Sequence, residues 1–174
     1  PKSPSTIEKV VSVIEELKPD LVGMEELGTD ASFQNLDGAL QDYEGLLAMS
    51  GDGYSRVGLL YRPDRLTISD PERLFPDDSY AFPRPVLAVH VARVDDPSQD
   101  FLFGVVHLKA ELDTESTARR RDACQKLDLW IRNQIETGVE SEIVLAGDFN
   151  DNLTDPPQYN VFGPLLEADD GGFL

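Results

Sequence analysis

The sequence predicts an α/β sandwich: two mixed β-sheets packed face to face, with helices outside them. Three observations carry that reading. Short apolar runs of strand length recur along the 174 residues. Two of them flank the turn Ser50-Gly51-Asp52-Gly53 as a hairpin. Segments with helical spacing stand between the runs, but not in the regular βαβ order of a doubly wound sheet.

Each element follows from local pattern. Ser5 and Glu8 make a capping box, Ile7, Val10, Val11, Ile14 and Leu17 follow helical spacing, and Pro19 stops the helix. A buried strand runs to Met24. Phe33, Leu36 and Leu40 mark a short second helix. Residues 43–49 and 56–61 are the hairpin strands, and 65–69 suggest a third. Residues 70–85, rich in Pro and Asp, read as a loop. Residues 86–94 and 101–108 are two more strands. A long helix spans about 115–137, with Gly138 as terminator and Cys124, Leu127, Ile131 and Ile135 as buried stripe. The run Ile143 to Ala146 is a buried strand, and an Asp-Pro-Pro loop at 155–157 follows. No internal repeat, low-complexity tract or linker divides the chain, so residues 1–174 are read as one domain.

Three of the apolar runs end in ionisable residues. One ends in Glu25-Glu26, one in His107-Leu108-Lys109, and one in Gly147-Asp148-Phe149-Asn150. The last alone is equally an Asx-rich turn closing a strand. An unpaired ionised group buried at any one end is costly. A shared polar pocket holding a cation and an anionic substrate explains all three.

These residues carry a resemblance. Pro19-Asp20-Leu21-Val22-Gly23-Met24-Glu25-Glu26, Arg84-Pro85-Val86-Leu87, Val106-His107-Leu108-Lys109 and Gly147-Asp148-Phe149-Asn150 stand in that order over nearly the whole chain. In this the sequence resembles the endonuclease/exonuclease/phosphatase superfamily. The resemblance implies a four-layer sandwich and divalent-metal-dependent hydrolysis of phosphate esters, with Mg²⁺ or Mn²⁺. It implies a metal ligand in Glu26, a water-activating base in Asp148, and phosphate contacts from His107, Asn150 and Arg84, with Lys109 able to assist. Glu25 stands where the family usually has Gln and is read as harmless. The family's opening Trp-Asn strand and closing Ser-Asp-His strand are not in the sequence. The resemblance therefore implies a domain incomplete at both ends.

Other residues take plainer readings. His90 lies in an apolar strand and is read as a core histidine, and Trp130 as core. Arg119-Arg120-Arg121 are read as a solvated turn of the long helix, the alternative being a substrate or phosphate patch, and Asp151 as a loop cap. The lone Cys124 excludes an internal disulfide framework and is read as a small buried residue.

Composition narrows the function. The 33 Asp and Glu against 15 Lys and Arg give a formal charge of −18. Such a surface repels polyanions, so a nuclease of the same family is disfavoured against an enzyme of small or lipid-like phosphate esters. Arg outnumbers Lys, and acidic, lysine-poor surfaces suit high salt. The pairs Asp77-Asp78, Asp95-Asp96 and Asp169-Asp170 read as solvated loops. A catalytically silent binding domain that keeps the fold is the reading from another class. No run approaches the roughly 18 apolar residues of a membrane span, and no signal-peptide pattern is visible. Cytoplasmic and secreted settings, and the oligomeric state, stay open.

Overall fold

The computed structural model describes residues 4–48 and 56–166, with side chains from residue 6 onward. The Ser5 cap, the turn at 50–53 and the pair at 169–170 lie outside the described residues. The described elements are α1 (Pro4–Leu17), β1 (Leu21–Leu27), α2 (Asp30–Ala39), β2 (Glu44–Leu47), β3 (Arg56–Tyr61) and β4 (Leu66–Leu74). They continue as β5 (Val86–Arg93), β6 (Asp100–His107), α3 (Thr114–Glu136), β7 (Ile143–Asp148) and α4 (Gly163–Leu166).

The strands form a three-stranded sheet in the order β1-β3-β2 and a four-stranded sheet in the order β4-β5-β6-β7. Every described pair is antiparallel except β6 and β7. The four-stranded sheet is therefore mixed, as expected, and the other is antiparallel. Parallel pairing needs a long crossover, and α3 supplies it between β6 and β7.

Three apolar cores separate four layers. Ile14, Phe33, Leu36 and Leu60 seal α1 and α2 against the three-stranded sheet. Val57, Leu59, Val89, Val91, Phe103 and Val105 fill the space between the sheets. Val86, Ala88, Val106, Cys124, Leu127 and Phe162 pack α3 and α4 on the outer face of the four-stranded sheet. The alternation along β5 explains the split: Leu87, Val89 and Val91 face the other sheet, while Val86 and Ala88 face α3.

Two strands differ from expectation. β4 runs to Leu74, through residues read as loop. A register shift lies between Ser69 and Glu72, and Asp70 there takes a φ of 51°. The bulge carries the strand past Pro71, and β4 is an end strand, where a missing N–H is tolerated. β7 was expected to be buried, yet Val144 is 46% exposed. The reason is position, because β7 ends its sheet and pairs only with β6 among the described residues.

The α3 stripe also shifts. Ala123, Cys124, Leu127 and Ile131 are buried, as is Arg120, whereas Ile135 is 38% exposed. The Asp113 carboxylate caps the helix on the Ser116 N–H at 2.9 Å. Gly138, at a φ of 68°, closes it as expected. The Cys124 thiol is pushed up to about 12, chiefly by burial, which makes it inert as a nucleophile.

Leu127→Ala is expected to cost about 2–5 kcal/mol, as a fully buried truncation. Ile135→Ala is expected to cost about 0.5 kcal/mol or less, as an exposed one. Urea unfolding of both variants checks this; equal costs would place the end of the buried stripe wrongly.

Candidate active site

The parallel register sets His107 of β6 directly beside Asp148 of β7. Both lie at the carboxyl end of their strands. Gly147, at a φ of 136°, precedes Asp148, and a Cβ there would collide with the Val106 carbonyl. Only glycine permits this approach. Past the strand, the Asp148 Oδ1 accepts from the Asn150 N–H at 2.8 Å, an Asx turn. Asn150 sits in the left-handed region at a φ of 54°, which asparagine tolerates.

The Leu108 carbonyl gathers two more groups. It accepts from Asn150 Nδ2 at 3.2 Å and from Arg84 Nη1 at 3.3 Å. Arg84 enters from the segment before β5. The second N–H of the Asn150 amide and the remaining Arg84 donors are left for other partners.

The acidic side comes from β1, which packs against β6 and β7 across the sandwich. A register shift lies between Met24 and Leu27, and Glu26 has a φ of 53°. The bulge interrupts alternation, so consecutive carboxylates Glu25 and Glu26 both turn toward this end. Glu25 Oε1 lies 2.9 Å from where a Cβ on Gly147 would stand.

These groups feel one another's charge. Burial holds the Arg84 guanidinium below its usual value, and Glu26 and Asp148 oppose that. Burial, then the neighbouring Arg84, pushes the His107 imidazole down, with Asp148 and Glu26 pulling the other way. His107 is only 3% exposed. Burial, then Asp148, pushes the Glu25 carboxyl up. The structure thus brings Glu26, Arg84, His107, Asp148 and Asn150 to one end of the sandwich. Lys109 is close in sequence, but its Nζ donates to Glu111 Oε2 at 2.9 Å.

Two residues that the sequence reading passed over belong to this region. Glu25 was read as harmless, yet it crowds Asp148. Arg120 was read as solvated, yet its side chain is 2% exposed and pairs with Asp151 at 2.9 Å. Its Nη1 also donates to the carbonyls of Lys109 at 2.9 Å and Glu111 at 2.7 Å. Arg120 thereby ties the loop after His107 to the loop after Asp148. Its signal was present: Arg120 precedes Cys124, Leu127 and Ile131 at helical spacing. Arg119 is not free either, since it donates to the Tyr80 carbonyl at 2.6 Å and lies over the Tyr80 ring. His90, expected in the core, is partly exposed and paired with Asp100. Trp130 packs on the core as expected.

Glu25, Glu26 and Asp148 bring three carboxylates to the end of the sandwich that holds Arg84 and His107. Burial first, and Asp148 second, push the Glu25 carboxyl up. A hard divalent cation takes one or two carboxylates together with waters, and Glu26, beside Arg84 and His107, is a donor of that kind.

The sequence matches no protein-family model and no curated protein. Solved structures do match. An endonuclease/exonuclease/phosphatase family protein from Bacteroides thetaiotaomicron aligns at a TM-score of 0.71 and 15% identity, over 91% of this chain and 57% of that one. The chain has the endonuclease/exonuclease/phosphatase fold. A mannosyl-6-phosphatase from the same organism with this fold aligns at 0.65 and 15% identity, over 90% and 60% of the two chains. D. rerio TDP2 complexed with single strand DNA product aligns at 0.65 and 24% identity, over 84% and 54%. The chain therefore spans between 54% and 60% of the length of these structures.

Removing one partner of the Arg120–Asp151 pair strands a buried charge. Arg120→Met and Asp151→Leu are each expected to cost about 3–5 kcal/mol. The double variant is expected to cost less than the sum, because no orphan charge remains. Additive costs in denaturant unfolding would show that the two groups do not act as a pair.

Glu25 gives a pH-dependent expectation. Its carboxyl holds a proton to higher pH in the fold than the ordinary value of 4.5. Folding therefore takes up a proton between those two values, and above both the buried charge opposes the fold. Glu25→Gln is expected to raise the melting temperature at pH 7 without divalent metal. The gain should shrink as pH falls through the folded-state value toward 4.5. A pH-independent difference would sink the electrostatic account.

Proposed function

We propose that this chain is a divalent-metal-dependent phosphoesterase, hydrolysing a small or lipid-like phosphate mono- or diester. The observation that carries this reading is the convergence of His107, Asp148, Asn150 and Arg84 with Glu26 at one end of the sandwich. A general base, neutral and charged anion donors and a carboxylate metal ligand are the parts that phosphoester hydrolysis needs.

The roles follow from the local geometry. Asp148, exposed at the cleft and oriented by the Asn150 N–H, orients an attacking water and takes its proton. His107, kept neutral by burial and by Arg84, donates an uncharged N–H to a phosphoryl oxygen as negative charge develops there. Arg84 adds fixed positive charge, and Asn150 contributes its remaining amide N–H. Lys109, paired with Glu111, assists only by leaving that partner. Glu26 would hold Mg²⁺ or Mn²⁺, which when bound neutralises charge on the phosphoryl group.

The charge of −18 supports a small substrate over a nucleic acid, because a polyanion approaching this surface is repelled before it reaches the cleft. Among proteins of the same fold, the mannosyl-6-phosphatase is named for a sugar phosphate, and TDP2 was captured with a DNA product.

A metal-dependent screen over plasmid DNA, RNA, a generic phosphodiester, a phosphomonoester and sphingomyelin tests the substrate class. Turnover of small esters above nucleic acids is expected. Turnover of none of them, by folded protein with Mg²⁺ or Mn²⁺, would favour the silent binding domain. Asp148→Asn is expected to keep the fold and lose at least about 10²-fold in rate, and His107→Ala a comparable amount. Undiminished turnover in folded Asp148→Asn would overturn the assignment of the base. A tenfold excess of metal over Kd should stabilise the wild type by roughly 1.4 kcal/mol. Thermal melts of Glu26→Gln should lose most of that gain.

A further inference from the structure

The outer face of the four-stranded sheet carries a second group of metal-ligating side chains, at the opposite end from the candidate active site. His90 belongs to the face of β5 that α3 covers, in line with Val86 and Ala88. It stands opposite Leu102, and Asp100 stands opposite Ala92. His90 and Asp100 are therefore diagonal neighbours on one face. The α3 helix ends at Glu136, and the chain then descends past His90 as it enters β7. Glu140 lies on that descent.

We propose that His90, Asp100 and Glu140 form a metal site for Zn²⁺ or an ion of similar ligand preference, clamping β5, β6 and the entry to β7. One ligand atom from each of the three lies within 4.8 Å of the others. His90 Nε2 is 2.8 Å from Asp100 Oδ2 and 3.7 Å from Glu140 Oε2. Ligands at Zn²⁺ bond lengths and tetrahedral angles stand about 3.3–3.6 Å apart, so the observed separations bracket that value. Small rotamer adjustments bring all three onto one ion.

The Glu140 carboxylate is held for this role. Its Oε1 accepts the N–H groups of Ser141 at 2.7 Å and Glu142 at 3.0 Å. Those bonds leave Oε2 facing the imidazole, on a side chain only 11% exposed. A first ligand fixed by backbone donors is the arrangement that raises metal affinity. Charge points the same way. Two carboxylates face one imidazole, so a negative excess remains even if the ring is protonated. One nitrogen and two carboxylate oxygens suit Zn²⁺ better than Mg²⁺, which takes oxygen alone. Three protein ligands leave the fourth position open to water.

This site is separate from the proposed phosphoester chemistry. Asp100 and His107 mark the two ends of β6, about 23 Å apart at roughly 3.3 Å per residue. An ion here would fasten strands rather than reach the substrate.

The chain contains two histidines, which makes the test specific. Chelator-treated, ¹⁵N-histidine-labelled Glu26→Gln protein is titrated with Zn²⁺ and followed by imidazole NMR, with His90→Gln supplying the assignment. The Glu26→Gln background disables the candidate catalytic metal ligand, and activity is not read. The His90 Nε2 resonance is expected to shift to an end point at one equivalent of Zn²⁺. The same concentration of Mg²⁺ should leave it in place. Adding Glu140→Gln, whose folding is judged from the same spectra, should weaken Zn²⁺ by at least about tenfold. A His90 resonance unmoved by several equivalents of Zn²⁺, or unchanged affinity in folded Glu140→Gln, would overturn the site.

Discussion

The parallel pairing of β6 with β7 is the constraint on which the rest of this architecture hangs. Parallel neighbours end at the same edge, so His107 and Asp148 emerge side by side. An antiparallel partner would have sent Asp148 to the far end. The same pairing demands a crossover, and α3 is that crossover. Once α3 lies across the sheet, its first turns pass beneath the loops leaving both strands. Arg120 projects there, and its four described hydrogen bonds tie the two loops and the helix together. A lysine could not replace it, because one ammonium has no fork to span two loops at once.

Much of this was legible in the sequence, and the failures share a cause. The strand ends at Glu26, His107 and Asp148 were readable because a buried apolar run that stops at a charged residue has few structural explanations. α1, α2, α3 and the hairpin strands were readable from period alone. What misled was context that period does not encode. β7 looks fully buried because its composition is apolar, and its exposed face follows from its place at the end of the sheet. β4 was cut short at Asp70-Pro71, since proline normally ends a strand and only a bulge on an edge strand permits otherwise. Arg120 was discounted by residue type, although its spacing with Cys124 and Leu127 already placed it on the buried stripe. Glu25 was discounted as a harmless departure from the family's Gln, and the bulge in β1 is what turns it toward Asp148.

The electrostatics of the candidate site follow from these accidents of geometry. The β1 bulge delivers one carboxylate more than regular pleating would. Glu25 then crowds Asp148 near a guanidinium already claimed in part by a backbone carbonyl. The push on Glu25, from burial first and Asp148 second, is a local property, independent of the overall charge. The overall charge acts at longer range, selecting what can approach. Under the proposed function, local donors would attract a single phosphate, while the acidic surface would repel a chain of them.

β7 shows why polar fasteners recur on this face of the molecule. It is the shortest strand of the four-stranded sheet and is held by a ladder on one side among the described residues. Val144 is exposed and none of its residues is fully buried, so hydrophobic burial fixes it less firmly than β5 or β6. Yet its exit carries Asp148, the proposed general base, a role that requires its position to be held within a fraction of an ångström. The buried Arg120–Asp151 pair anchors that exit. Glu140, whose Oε1 accepts the backbone N–H groups of Ser141 and Glu142 and which faces His90 and Asp100, stands at the entry. A metal at the proposed entry site would complete what the ion pair begins, fixing both ends of β7.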